Sequence, residues 1–134
     1  MTVDVASQEE SLRRYLADQV RTASPVQRLL MLFDQLRRDL SCATAAFEGG
    51  TLKEVSDSLV HAQHVMMALR DPLDVDTELG RALSGVYGFC IRHLVTANLT
   101  KDPALLPEVV AIVDRLAEAN RTAAAAMHAP AVVG

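Results

Sequence analysis

A chain of 134 residues, 50% apolar and 22% charged, is long enough for one domain with its own core and too apolar to stay disordered. Its formal net charge of −4, with no Lys/Arg run, argues against nucleic acid as the main partner. No apolar stretch approaches the ~18 residues of a membrane span, so membrane insertion is not expected.

The N-terminus, MTVDVASQEE, is acidic and lacks an apolar h-region, so no signal peptide is visible and a cytoplasmic protein is expected. Ser7-x-x-Glu10 marks a short extra helix through Tyr15, followed by Leu16 and Val20. This segment is too short to be stable alone and must dock on something. Residues 1–24 are therefore assigned as a cap segment. Ser24, Pro25 and Gln27 form a specified helix start, with a capping side chain, a proline at the first position and a capping-box partner. The first helix runs from Pro25 to about Glu48, where Gly49-Gly50 predicts a left-handed stop. Thr51-x-x-Glu54 opens the second, which ends near Arg70 because Pro72 pushes Asp71 out of helical geometry. Asp74 or Asp76 caps a third helix reaching about Thr100. Asp102-Pro103 starts a fourth, with Pro107 awkward in its second turn. The bundle is placed at residues 25–128 and a disordered tail at 129–134.

With no Trp and 4% aromatics, the core must be built from Leu, Val, Ala and Met. The rows Leu29, Phe33, Leu36, Leu40, Ala43, Phe47; Leu52, Val55, Leu59, Ala62, Met66, Leu69; Leu83, Tyr87, Cys90, Leu94, Ala97; and Leu106, Val109, Val113, Leu116 alternate four and three apart. This shared period predicts an all-α, antiparallel, up-down-up-down four-helix bundle. Cys42 and Cys90 lack metal-ligand spacing and read as small, buried, reduced residues.

With those rows in the core, the fourth helix is polar outside, carrying Glu108, Asp114, Arg115, Glu118 and Arg121. The other three are not. Met31, Val60, Met67, Phe89, Val95 and Leu99 point away from the core, and Gly85 and Gly88 leave room for another backbone. An amphipathic helix lying in a groove is the ligand such a surface fits.

No catalytic site emerges. His61 and His64 lie one turn apart without a third ligand, so no metal is expected. A di-iron bundle would need Glu-x-x-His motifs, which the chain lacks. A histidine phosphotransfer bundle would carry His-x-x-Lys-Gly, and neither histidine has Lys or Gly at those offsets. A four-helix signalling or metal-binding bundle is thus the alternative without its motifs. No cofactor is expected. Asp34 reads as surface or ion-paired, and Asn98 as a cap or a bundle hydrogen bond.

Tyr15, the TASP stretch Thr22 to Pro25, and MLFD, Met31 to Asp34, resemble the flagellar secretion chaperone FliS family. A second block agrees, with Leu73-Asp74, Gly80, Leu83, Val86-Tyr87, Arg92, Leu94, Ala97-Asn98 and Asp102. A third comprises Glu108-Val109 and Leu116 to Ala119. The chain departs from the family pattern at Gln35, Phe89, His93 and Asn120. The resemblance implies a cytosolic, non-enzymatic chaperone for the C-terminal segment of flagellin, which becomes largely helical as it wraps the bundle. It further implies delivery to the flagellar type III export gate, with the segment around Tyr15 as a cap. The expected flagellin-binding residues are Tyr15 and Val20 in that segment, with Met31, Val60, Met67, Gly85, Gly88, Phe89, Val95 and Leu99 on the helices.

Overall fold

The computed structural model describes residues 10–11 and 24–128. Four helices follow one another, α1 (Pro25–Gly49), α2 (Leu52–Arg70), α3 (Glu78–Thr100) and α4 (Leu106–His128), with a 3₁₀ turn at Pro103–Leu105 before the last. Each packs on two neighbours, closing a ring in the order α1, α2, α3, α4. Cross-links show the alternating direction. Asp39 meets His61, Ser56 meets Asn98, and stepping back along α1 from Arg37 to Asp34 moves the partner forward along α4 from Asp114 to Arg121. The predicted up-down-up-down bundle is the fold. The expected cap segment and the tail at 129–134 lie outside the described residues, apart from Glu10, Ser11 and Ser24.

The start of α1 follows its motif. Ser24 Oγ accepts from the Gln27 N–H, while Gln27 Oε1 accepts from the Ser24 N–H. α2 ends at Arg70 as expected, but Asp71 keeps helical φ and ψ of −57° and −38° before Pro72. Two other boundaries differ from expectation. Gly50 ends α1 in extended geometry, and no described glycine has positive φ. It serves close approach instead: a Cβ there would sit 2.9 Å from the Ala46 backbone, against which the chain turns. The cap of α3 is Thr77, neither Asp74 nor Asp76. Asp74 Oδ1 is already engaged by the Asp76 N–H, leaving the Thr77 hydroxyl to accept from Gly80. Pro107 loses its awkwardness because the 3₁₀ turn delays α4 to Leu106, which puts the proline in the first turn, where its missing N–H costs nothing.

Phe33, Leu36, Leu40, Val55, Leu59, Met66, Cys90, Leu94, Val109 and Val113 are all but fully buried at the centre. Leu29, Phe47, Leu83 and Leu116 pack on this core from its edge. Leu52 is 67% exposed. It precedes by one turn Ser56, which meets Asn98 near the end of α3, so it lies past the last turn it might have packed on.

The two cysteines separate as well. Cys90 is buried as expected, but Cys42 is exposed, on the outward side of α1 next to the core residue Ala43. Burial pushes the Cys90 thiol up to about 11, with the Glu108 carboxylate adding to the shift. An aromatic disulfide reagent near pH 8 should therefore titrate one thiol rapidly in the native chain and the second only on unfolding. Two thiols reacting at equal rates in the native state would contradict this packing.

Candidate interaction surface

The Ser56–Asn98 hydrogen bond, 3.3 Å between side chains, sets the register of α2 against α3. One turn along α2 brings Val60 opposite Leu94-Val95, and two more bring Met67 opposite Tyr87-Gly88. On α2 the residues Leu52, Ser56, Val60, Gln63 and Met67 form one stripe. On α3 the facing stripe holds Arg81, Gly85, Gly88, Arg92, Val95 and Leu99. Val60 and Val95 are each 37% exposed and Leu99 80%. A shallow strip with apolar walls thus runs along the α2–α3 seam.

The structure brings Val60, Met67, Gly85, Gly88, Val95 and Leu99 onto this strip, and the expected exposure of Met67, Gly88 and Phe89 is corrected. Met67 is half-buried and packs on the core edge. Gly88 is buried, because the Arg92 side chain folds back one turn and covers it; a Cβ on Gly88 would meet Arg92 Nη1 at 3.3 Å. Phe89 is also half-buried and faces the α4 side, its ring 4.1 Å from the His93 ring between centroids. His93 Nε2 in turn lies 3.5 Å from Glu108 Oε2 on α4. The two departures at 89 and 93 therefore contact each other. Met31, 40% exposed, lies off this strip. It lines a depression of about 490 Å³ on α1 with Arg28, Leu32, Gln35 and Arg38. Tyr15 and Val20 lie outside the described residues.

Gly85 has open space where a Cβ would stand. Gly85→Ala should therefore stabilise the bundle by about 0.5–1 kcal/mol, through helix propensity and a less flexible unfolded chain. A thermal melt checks this, and a lower melting temperature would mean the position is not free.

Three features escaped the sequence reading. Phe47, Pro103, Leu106, Pro107 and Val110 line an apolar cleft of about 470 Å³ at one end of the α1–α4 seam, with Thr44 and Glu48. The period of α4 marked its core row but gave no sign that Pro103, in the 3₁₀ turn, and Pro107, in the first turn of α4, would open a corner. The second feature is Asp39, a buried carboxylate. It accepts from Gln35 Nε2 at 2.9 Å, and its other oxygen is 2.5 Å from His61 Nδ1. Gln35, one of the departures from the family pattern, is thereby given a partner, and His61 ties α2 to α1 instead of standing free. The third is the Arg92 side chain over Gly88. Asp34 pairs with Arg121 at 3.7 Å and Asn98 makes the bundle hydrogen bond already described. Among the described residues no three His, Cys, Asp or Glu side chains converge on a point where a metal could sit.

The family model described as Flagellar protein FliS matches residues 8–127. The chain is 30% identical over 95 residues to the flagellar secretion chaperone FliS of Bacillus subtilis strain 168, covering 71% of each protein. It is 33% identical over 103 residues to the flagellar secretion chaperone FliS of Salmonella typhimurium strain LT2, covering 75% of this chain and 76% of the relative. A crystal structure of a flagellar chaperone from bacteria matches with a TM-score of 0.68 at 16% identity, over 87% of this chain and 96% of that one. At that identity the likeness concerns the fold.

Proposed function

Because the chain belongs to the FliS family of flagellar secretion chaperones, we propose that its client is the C-terminal segment of flagellin. The bundle holds that segment in the cytoplasm, keeps it from assembling early, and assists its delivery to the export gate. The observation that supports this best is the apolar strip on the α2–α3 seam, beside a core that is complete without it. A soluble bundle gains nothing by leaving Leu99 and the two valines wet unless something covers them. Among the described residues there is no strand edge to extend, so a helix lying in the seam is the matching recognition mode. Met31 on α1 and the cleft beside Phe47 lie on other faces, which suits a client that wraps the bundle. The segment around Tyr15 and Val20 is, in the same proposal, the chain's own competitor for this surface.

The test is a titration with the C-terminal segment of the cognate flagellin. Helical content of the mixture should exceed the sum of the components. At one hundred times the dissociation constant the client adds about 2.7 kcal/mol, raising the melting temperature by on the order of 10 °C. If circular dichroism of the mixture equals the sum and the melting point stays put, flagellin's tail is not the client.

A further inference from the structure

The charges of this bundle are unevenly distributed. The chain carries more acid than base, 17 Asp and Glu against 13 Lys and Arg, yet α3 has Glu78 at its first position and no other carboxylate. The five residues of the α2 stripe that faces it, Leu52, Ser56, Val60, Gln63 and Met67, include none either, and the nearby Asp57 is held by Lys53. On the α1–α4 side two arginines are neutralised, Arg37 by Asp114 at 3.1 Å and Arg121 by Asp34 and Glu118, while Arg38 donates to Gln35 and Arg115 stands on the outer face of α4. On the α2–α3 strip no ion pair joins Arg81 or Arg92 to any described residue. Arg92 sits mid-strip, and Gly88, with no side chain of its own, lets the guanidinium lie back along the helix over it.

We propose that Arg92 is a specificity residue of the strip that takes a carboxylate, an Asp or Glu on the polar edge of the client helix. This rests on the client-binding function proposed above. A helix that runs along the strip from Leu99 over Val95 and Val60 toward Gly88 also strips water from the guanidinium, which lies just beyond Val95. A charge desolvated without a partner opposes binding, whereas a carboxylate meets it with paired, charge-assisted hydrogen bonds. Arg81 lies three turns away on the same stripe, about 16 Å along the helix axis, where a second acidic residue of the client finds a partner. The apolar walls supply adhesion, and Arg92 supplies orientation and selection against clients that are apolar or basic at that point.

The experiment is calorimetric, with two probes: the C-terminal segment of the cognate flagellin, and the same segment with every Asp and Glu changed to Asn and Gln. Arg92→Gln should weaken binding of the acidic probe about tenfold or more and flatten its salt dependence, with Arg92→Lys intermediate. The amide probe should bind the wild-type chain correspondingly less well and be indifferent to Arg92→Gln. Gly88→Ala, whose Cβ displaces the guanidinium, should reproduce part of the loss for the acidic probe alone. Arg115→Gln, which removes an exposed charge from the outer face of α4 away from the strip, should not. Circular dichroism of each variant confirms that the bundle is intact. If wild type and Arg92→Gln bind the acidic probe equally, Arg92 has no such role although the client is right. If the wild-type chain binds neither probe, both this proposal and the client fall. Arg92-dependent binding to phosphatidylglycerol vesicles, or an Arg92-dependent dimer with no effect on the acidic probe, would assign the guanidinium elsewhere and overturn the proposal.

Discussion

Changing Val60 and Val95 together to glutamine should leave the bundle folded and weaken binding of flagellin's C-terminal segment more than a hundredfold. The two valines face each other across the α2–α3 seam by the register of the Ser56–Asn98 bond, and each is 37% exposed. A client helix lying there must bury what remains of both. Replacing them removes apolar area and asks two amides to enter an apolar contact without partners, at about 1–3 kcal/mol each. Together that is roughly 3 kcal/mol or more, beyond a factor of one hundred in the dissociation constant. The folded chain loses far less, since both side chains lie at the edge of the core and glutamine is a good helix former. Glutamine is also preferable to aspartate, which would pair with Arg92 and confuse the result. Isothermal titration beside a thermal melt decides it. A double variant that binds normally would remove the α2–α3 strip from the client's path, whatever other faces it uses.

The fold was legible because its main determinant is periodic and local. Apolar residues four and three apart placed the core rows, and Ser24, Thr51 and Asp102 carried their own start signals. What escaped was decided by competition between neighbours. Aspartate is as good a cap as threonine, so Asp74 and Asp76 looked like the start of α3. Only the folded turn shows Asp74 committed to the Asp76 N–H. Ends of helices were also hard to weigh. Leu52 fits the period as well as Val55 does, but the period does not say where the facing helix stops. Val65 and Ile91 sit beside the core rows and are nevertheless buried, because ring packing widens the buried stripe of α2 and α3 beyond a strict heptad seam.

Surface properties were less legible than the core, for a physical reason. Periodicity tells which side of a helix faces inward, but partial burial depends on the long side chains of neighbours. Gly88 falls on the outward half of α3 and is buried all the same, because Arg92 folds over it. Phe89 is drawn to the α4 side, where it stacks on His93 and His93 reaches Glu108. Val60, Val95 and Leu99 stayed exposed, as the wheel predicts.

Gly80→Ala should be the most damaging small change in the chain, lowering stability by about 3 kcal/mol and the melting temperature by roughly 10 °C. Its position in a family motif gave no hint of the cause, which is the turn between α2 and α3. The Asp74 carbonyl accepts from both the N–H and the hydroxyl of Thr77, at 3.2 and 2.7 Å. The same hydroxyl accepts from the Gly80 N–H at 3.0 Å. This folds the turn down onto the first turn of α3, so that a Cβ on Gly80 would lie 1.8 Å from the Asp74 oxygen and 2.7 Å from its carbonyl carbon. Those are backbone atoms, which cannot rotate aside. The methyl must open the turn and take the Thr77 cap with it. Thr77→Ala alone, losing the cap but not the turn, should cost about 1 kcal/mol. The two changes should then be strongly non-additive, with Thr77→Ala nearly free in the Gly80→Ala background, because the bond it removes has already gone. Urea denaturation of the wild type, both single variants and the double variant measures the cycle. Additive losses would mean that the turn yields without releasing its cap, and a neutral Gly80→Ala would mean that the turn does not pack on Gly80 at all.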